Sequence, residues 1–430
     1  MSQISDASND ARGRPLVVVT GFDIVSSLGR GKATNWARLI NGESGIHKIE
    51  RFSTKGLKTT VAGTVDFMGL ETYSAPALSF AMARAVAHEA ISEASIGRQG
   101  RFPGPLFLAT PPTELEWPQR QQLFDAGAGG GKSGYARLLE AARTGRFSAL
   151  FTEFQFASVA EHLAEEFGTQ GLPVSLSTAC ASGATAIQMG AEAIRRGETD
   201  VALCVATDGS VHAEALIRFS LLSALSTHND PPERASRPFS KDRGGFVMAE
   251  GAGAFVLESY AAAKARGARI LGVVRGCGER ADDYHRTRTH PEGAPIIAAI
   301  RAALSDAGCH PDEIDYVNAH GTGTPENDKM EYLALASVFG DRVHELPVSS
   351  SKSMIGHTLT AAGAIEAAIS LMSISHGMLP PTINCNDPDP AIELDIVPNK
   401  ARKATIGTVL SNSFGFGGQN ACLVLSGEPA

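Results

Sequence analysis

The sequence lacks the features that mark several large protein classes. Lys and Arg number 38 against 46 Asp and Glu, which gives a net charge of −8. Binding to nucleic acid usually needs a basic surplus or a basic stripe, and neither is present. The longest apolar runs, such as Val201–Ala206 and Ala361–Met372, are too short or too interrupted by polar residues to span a bilayer. These absences disfavour nucleic acid as a partner and predict no membrane span.

Cysteine is also scarce. Six cysteines in 430 residues, none of them in a C-x-x-C pair, give no disulfide scaffold. The first fifteen residues are rich in Ser, Asp and Asn and lack the apolar stretch of a signal peptide. What is present, 43% hydrophobic and 20% charged residues, is ordinary for a globular chain with a sizeable core. We therefore expect a reduced, cytoplasmic enzyme.

Short β-branched runs alternate with alanine-rich stretches of helical periodicity. The predicted strands are Leu16–Thr20, Pro105–Ala109, Pro173–Ser177, Val201–Ala206, Gly253–Glu258, Ile270–Arg275, Ile314–Ala319, Pro347–Ser350, Thr408–Asn412 and Ala421–Ser426. The predicted helices are Ala77–Ala94, Ala184–Arg196, Ala294–Ala307, Lys329–Phe339 and Ala361–Ser375. Strands separated by helices of this length indicate an α/β protein with parallel, covered sheets. About ten strands exceed one typical sheet, so we predict two.

A weak internal similarity suggests two halves. Ser175–Ala184 and Val409–Gly418 both read as a strand, a turn of small residues and then glycine. The halves would meet near Tyr260–Gly267 and share a core. The predicted organisation is a flexible tail over 1–14, a first half over 15–265 and a second half over 266–430.

Cys180 is the first candidate for chemistry. It follows a mostly apolar run and precedes Ala-Ser-Gly-Ala and a helical stretch. A cysteine at a strand-to-helix turn lies where the helix N-terminus favours the thiolate, and its small neighbours let a substrate approach. The alternative is a buried structural cysteine, which is the usual fate of a free thiol.

Two histidines have comparable settings. His320 follows the predicted strand Ile314–Ala319 and opens into Gly-Thr-Gly-Thr-Pro, and His357 follows Pro347–Ser350 after a stretch of Ser, Lys and Gly. A lone histidine is more often a satisfied polar group than a catalyst. Three reactive side chains just past strand ends favour a shared site, because ligands of parallel α/β sheets bind there.

Other motifs have weaker support. The glycine-rich segment 126–133 departs from the phosphate-binding pattern and follows a polar helical stretch rather than a strand, so a flexible loop is the better interpretation. Cys309-His310 and Asp282–His285 lack paired ligands at zinc spacing, so we interpret both as solvated surface and expect no metal.

Six segments, in order, resemble the β-ketoacyl-acyl-carrier-protein synthases, most of all the type II elongating enzymes. They are Ser177–Gly183, Arg237–Phe246, Val317–Pro325, Lys352–His357, Pro380–Asn384 and Ser411–Gly418. The resemblance runs from about residue 15 to the end. It implies the thiolase fold, with two pseudo-symmetric halves in five αβαβα layers, and a homodimer.

The resemblance also implies a role for each matched residue. Cys180 would take the acyl chain from an acyl carrier protein, and malonyl on a second carrier would lose carbon dioxide to give the attacking enolate. His320 and His357 would stabilise the enolate oxygen. The backbone N–H groups of Cys180 and Phe416 would form the other oxyanion hole.

The remaining roles follow in the same way. Lys352 and Glu366 would be a supporting ion pair, and Thr322 and Thr324 would bind the phosphopantetheine arm. Phe219, Phe414 and Phe416 would be substrate-binding rings, with Phe416 as a gate flanked by glycines. The implied chemistry needs no metal and no cofactor of its own, since the phosphopantetheine belongs to the carrier.

Three alternatives stay open at this point. A thiolase would use a second late cysteine, but Cys422 lies inside an apolar run. A non-condensing, chain-length-setting partner of a polyketide synthase would have lost the nucleophile. An active polyketide-type synthase would carry nearly the same motifs and is the main competitor.

Several departures from the family pattern bear on specificity. Ala109–Trp117 replaces a glycine-rich stretch, Thr207–Ser210 replaces Gly-Gly-x-Glu, and Ser223 stands where housekeeping enzymes often carry an arginine that meets the carrier. A paralogue specialised for long or modified chains is one interpretation, and neutral drift is the other. Because carriers are acidic and this chain is acidic too, docking needs a local basic patch that the sequence does not locate.

Overall fold

The computed structural model describes residues 8–10, 12–97, 100–127 and 133–428. The strands are β1 (Val17–Ser26), β2 (Gly29–Arg30), β3 (His47–Lys48), β4 (Val61–Ala62), β5 (Leu106–Ala109), β6 (Val174–Leu176), β7 (Val201–Asp208), β8 (Gly251–Ser259), β9 (Gly272–Ala281), β10 (Tyr316–Asn318), β11 (Pro347–Ser349), β12 (Met378–Leu379), β13 (Asp395–Ile396), β14 (Arg402–Lys403), β15 (Thr408–Phe414) and β16 (Gln419–Ser426). All ten predicted strands are confirmed, most with shifted ends.

The helices are α1 (Lys32–Ile40), α2 (Ala75–Ala94), α3 (Trp117–Ala126), α4 (Gly134–Arg143), α5 (Ser148–Glu153), α6 (Ser158–Phe167), α7 (Ser182–Arg195), α8 (Ala213–Leu221), α9 (Tyr260–Ala265), α10 (Ala294–Ala307), α11 (Pro325–Phe339), α12 (Lys352–Ile355) and α13 (Ala362–His376). The five predicted helices correspond to α2, α7, α10, α11 and α13. Most of the predicted tail (residues 1–7 and 11) and most of the glycine-rich loop (128–132) lie outside the described residues.

The two halves have the same strand order. The path runs β6-β5-β7-β8-β1 through the first half and β11-β10-β15-β16-β9 through the second, with β13 beyond β11. Numbered within each half, both orders are 3-2-4-5-1. The first three strands along each path are parallel, whereas the fourth runs antiparallel to both of its neighbours, the third and the fifth. The sheets are therefore mixed rather than wholly parallel, and the two-half architecture of the thiolase fold is confirmed. The boundaries 15–265 and 266–430 stay a prediction.

The layers follow from the helix contacts. Helix α2 covers the outer side of β1, β7 and β8, and α10 covers β9 and β16. Helices α7 and α13 pack on each other and on strands of both halves, so they form the central layer. We expected two separate sheets, but three residue pairs between β1 and β9 join the halves in one hydrogen-bonded path.

The two central helices approach each other at glycines. A Cβ on Gly183 of α7 would lie 2.5 Å from the backbone nitrogen of Ala364, and one on Gly363 would lie 2.5 Å from that of Ala184. Because both contacts are with backbone atoms, only glycine permits this spacing. The close approach places the first turns of both helices side by side.

Helix α13 also explains the most hydrophobic stretch of the chain. The segment Leu359–His376 has a mean hydropathy of 1.2 and is long enough to cross a membrane, but 78% of it is buried inside the protein. It belongs to a hydrophobic cluster that includes Ile187 of α7, Phe255 of β8 and Leu425 of β16. Its apolar character therefore fits a central core helix.

The internal similarity noted in the sequence pairs the wrong segments. Ser175–Ala184 spans β6 and the turn into α7, whereas Val409–Gly418 spans β15 and the hairpin into β16. By topology, the counterpart of the turn between β6 and α7 is the connection between β11 and α13. That connection contains α12 and His357.

Candidate active site

Cys180 lies in a tight turn between β6 and the N-terminus of α7. The residue before it, Ala179, has a φ of +50°, which is unusual for a residue with a Cβ. Ser182 stabilises the turn, because its hydroxyl accepts from the Thr178 N–H at 2.8 Å and donates to the Ala179 carbonyl at 2.6 Å. Cys180 as a whole residue is 8% exposed, and it lies at the positive end of the helix dipole.

His357 lies in the equivalent connection of the second half. The short helix α12 separates it from β11, so it does not directly follow a strand as we expected. Its backbone N–H donates to the Val247 carbonyl at 2.7 Å. The Leu359 N–H donates to His357 Nδ1 at 3.3 Å, and Nε2 lies 3.0 Å from the sulfur of Cys180. Because Nδ1 accepts, the neutral ring carries its proton on Nε2 and donates it to the sulfur.

His320 completes the group from the end of β10. Its ring centroid lies 5.3 Å from that of His357, with the planes 84° apart. Nδ1 of His320 is 3.5 Å from Nζ of Lys352, which can only donate. The proton of a neutral His320 is therefore also on Nε2.

Burial and charge set the protonation of these groups. Burial lowers the pKa of both histidines well below the ordinary value, and the charge of Lys352 lowers both further. Burial also raises the pKa of the Cys180 thiol to about 11, against the opposing effects of Lys352 and the Phe416 N–H. The resting site at neutral pH thus holds a thiol and two neutral imidazoles.

Lys352 is held by a buried carboxylate. Its ammonium pairs with Glu366 of α13, and both side chains are 1% exposed. Burial raises the pKa of Glu366 to about 7, while Lys352 opposes the shift. Glu331 of α11 accepts the backbone N–H groups of His320 and Gly321, each at 2.8 Å. These carboxylates fix Lys352 and the His320 loop in place.

One cavity of about 370 Å³ connects the reactive side chains to the surface. The other predicted site residues that line it are Thr322, Thr324, Phe219, Phe414 and Phe416. The two threonine hydroxyls lie 3.0 Å apart, so they offer adjacent polar groups along one wall. All ten residues predicted for the site therefore belong to this cavity or to the ion pair behind it.

An aromatic cluster forms another wall. Phe246 packs edge-on against His357 with ring centroids 5.3 Å apart, and it lies 5.3 Å from Phe219 and 6.4 Å from Phe416. We predicted roles for Phe219 and Phe416 but none for Phe246. Its place in a quoted motif, next to Gly245, was the only signal that could have indicated it.

At the mouth of the cavity, the setting of Asp282 differs from the one we expected from the sequence. Asp282 is not a solvated surface residue: it is 6% exposed, lines the cavity and accepts from the Thr289 hydroxyl at 2.6 Å. This contact folds the following loop over the mouth, where His285, Arg286 and Arg288 line the opening. Cys309 is likewise buried, although His310 is exposed.

One group in the described residues could offer three ligand atoms to a metal ion. It is the site itself, where the ligand atoms of Cys180, His320 and His357 all lie within 4.8 Å of one another. Cys422, the alternative late nucleophile, is fully buried in β16, and burial raises its thiol pKa well above the ordinary value.

Comparison with known proteins agrees with this geometry. Residues 111–263 match the family model of the β-ketoacyl synthase N-terminal domain, and residues 271–386 match that of the C-terminal domain. The tetracenomycin polyketide synthase ketoacyl synthase alpha subunit of Streptomyces glaucescens is 37% identical, over 95% of this chain and 96% of that one. The 3-oxoacyl-[acyl-carrier-protein] synthase 2 of Coxiella burnetii is 36% identical, over 95% and 98%.

The fold comparison gives the same result. A ketosynthase solved with its type II polyketide acyl-carrier protein and bound to a hexaketide superimposes with a TM-score of 0.86 at 32% identity, covering 96% of this chain and all of that one. The chain belongs to the β-ketoacyl synthase family. It is a condensing enzyme that transfers acyl groups, as the resemblance implied.

Proposed function

We propose that the protein is a β-ketoacyl-acyl-carrier-protein synthase that elongates a carrier-bound fatty acyl chain by two carbons. In the first step, the sulfur of Cys180 forms a bond to the thioester carbonyl, and the carrier thiol leaves with the proton of Cys180. The developing oxyanion is stabilised by the backbone N–H groups of Cys180 and Phe416. The acyl chain is then held as a thioester on Cys180.

The second step uses the two histidines. The carboxylate of malonyl on a second carrier leaves as carbon dioxide, and its bonding electrons form an enolate. Nε2–H of His320 and Nε2–H of His357 both donate to the enolate oxygen, because their Nδ1 atoms face Lys352 and the Leu359 N–H. The enolate carbon attacks the acyl carbonyl, the bond from that carbon to the Cys180 sulfur breaks, and the thiolate that leaves takes a proton from water to restore the thiol.

The observation that carries the proposal is the contact between Cys180 and a neutral His357 beside His320. Its test is incubation with acyl carrier protein loaded with an acyl chain, followed by intact mass. We expect wild-type protein to gain one acyl group and Cys180→Ala to gain none. Acylation that persists in the variant would overturn the assignment of the nucleophile.

A polyketide role is the second candidate, favoured by the 37% identity to the tetracenomycin enzyme and by the structural match to a polyketide ketosynthase. The two roles differ in how many malonyl units are added before the product is reduced. With a saturated acyl primer and excess malonyl carrier, a fatty-acid enzyme adds one unit. Successive unreduced additions, counted by mass on the carrier, would decide for the polyketide role.

We further infer that the acyl carrier protein delivers its arm past Arg286 and Arg288. Both side chains are exposed at the mouth, and neither makes an ion pair or side-chain hydrogen bond with another described residue. A pair of free cations at the entrance suits an acidic carrier, even though Glu326 lines the same mouth and the whole chain is acidic. We propose these two arginines as the local basic patch that an acidic carrier needs.

We also propose a homodimer in the cytoplasm. Strand β6 ends the sheet, so its outer edge is open to pair with a second copy. Large apolar side chains near that edge and on α3 and α4 are exposed, including Leu172 at 90% and Tyr135 at 74%. Light scattering of the purified protein tests the mass, and a monomer at micromolar concentration would contradict the proposal.

A further inference from the structure

A buried carboxylate outside the reactive group contacts the His357 connection. Asp208, the last residue of β7, is 1% exposed. It accepts the backbone N–H of Thr360 at 3.1 Å, the hydroxyl of Thr360 at 2.7 Å, and both the N–H and the hydroxyl of Ser210. Among the residues that the structure describes, Asp208 forms no ion pair with a Lys, Arg or His.

Thr360 belongs to the segment that sets the orientation of His357. That segment makes a short turn over Leu359–Ala361 before α13 begins, and Leu359 has a φ of +45°. A leucine holds that backbone conformation only when its surroundings impose it. The N–H of Leu359 is the group that donates to His357 Nδ1.

Hydrogen bonds hold the backbone on both sides of this strained Leu359. His357 itself is fixed by its N–H to Val247 and by the Ala249 N–H to its carbonyl, at 2.7 and 2.9 Å. Thr360 is fixed by its N–H to Asp208 and by its hydroxyl, whose single proton is shared between the Asp208 carboxylate and the Thr207 carbonyl, each 2.7 Å away. With both ends held, Leu359 keeps its N–H directed at Nδ1.

We propose that Asp208 and Thr360 are a positioning pair that keeps His357 in the tautomer with its proton on Nε2. Neither residue lines the cavity, and Thr360 reaches the reactive group only through His357, whereas the charge of Asp208 also raises the pKa of the Cys180 thiol. The inference rests on the proposed function and deepens it: the pair serves the malonyl decarboxylation step more than acyl transfer to Cys180. Thr207–Ser210, where the chain departs from the family pattern, thereby gains a physical role.

The test uses Thr360→Val, which keeps the shape and removes the hydroxyl, with Thr360→Ser as the matched control. Carbon dioxide release from malonyl carrier and acylation of Cys180 are measured separately for each protein. A misplaced group costs up to about 100-fold in rate. We expect Thr360→Val to slow decarboxylation at least tenfold while changing acylation less than threefold, with Thr360→Ser close to wild type. Equal effects on both steps, or no effect on decarboxylation, would overturn the inference.

A second readout does not depend on substrate. In protein labelled with 15N-histidine, the ring nitrogen shifts report the tautomer, and His357→Ala identifies the resonances of His357. We expect the Nε2–H tautomer in wild type and Thr360→Ser, and a mixture in Thr360→Val. Asp208→Asn replaces Thr360→Val if the valine variant does not fold. An unchanged tautomer in the variant rejects the positioning role, whereas wild-type protein that neither acylates nor decarboxylates rejects the proposed function instead.

Discussion

The two halves of the molecule share a strand order but place different chemistry at the same position. In the first half, the connection between the third strand and the central helix is short and carries Cys180. In the second half, the equivalent connection is longer and carries Lys352 and His357. In the proposed function, this repeated scaffold supplies the nucleophile from one half and groups that stabilise negative charge from the other. Neither half contains the site alone.

The largest effect should come from removing the histidines of the second half. We expect His357→Ala and His320→Ala each to slow malonyl decarboxylation by about 100- to 1,000-fold, because each removes one donor to the enolate oxygen. Of the two histidines, His357 is the one hydrogen-bonded to the sulfur, so His357→Ala but not His320→Ala should also slow alkylation of Cys180 by iodoacetamide. Equal alkylation rates in both variants would contradict the assigned hydrogen bond.

The crossing of α7 and α13 gives a matched test of the symmetry. Gly183→Ala and Gly363→Ala each place a Cβ 2.5 Å from a backbone atom of the other helix. Each should therefore lower the free energy of unfolding by about 1–3 kcal/mol. Gly244→Ala, where the added Cβ meets nothing within 4 Å, is the control. Denaturant unfolding measures all three. A large difference between the two helix variants would mean that the halves pack unequally.

The thiol of the first half should titrate far above neutrality. With its pKa raised to about 11 by burial, Cys180 is mostly protonated at pH 7, so the alkylation rate should rise about tenfold per pH unit between pH 7 and 10. Intact mass after timed exposure to iodoacetamide measures the rate, and Cys180→Ala corrects for the other cysteines. A rate that is flat above pH 7 would show a resting thiolate.

The smallest effect on activity should come from reversing the charge of the two arginines at the mouth of the cavity. We expect Arg286→Glu with Arg288→Glu to lower kcat/KM for carrier-bound substrates about three- to tenfold at low salt, and less at high salt. A small thioester without a carrier should react at the wild-type rate. Arg12, which pairs with Asp306 far along the chain, offers a control charge reversal away from the mouth. An equal loss with the small thioester would argue against docking.

The sequence was sufficient for the local features of both halves and for the set of side chains that the structure brings together around Cys180. Periodicity predicted the strands and the long helices, and the small residues around Cys180 predicted its tight turn. The sequence did not predict the pairing of β1 with β9 or the contact of Asp208 with Thr360. Those contacts join residues more than 150 positions apart, and such pairs leave no periodic signal. The buried setting of Asp282 was missed because an acidic pair followed by Tyr and His has the composition of a surface loop.

The close crossing of α7 and α13 at their glycines also determines how the chain unfolds. Since both helices pack on strands from each half, the largest hydrophobic cluster contains residues from both ends of the chain. Neither half can bury its apolar face by itself, so global unfolding should be a single cooperative transition. A protease cut within Tyr260–Ala265 would therefore leave two fragments bound to each other, and separately expressed halves would aggregate rather than fold.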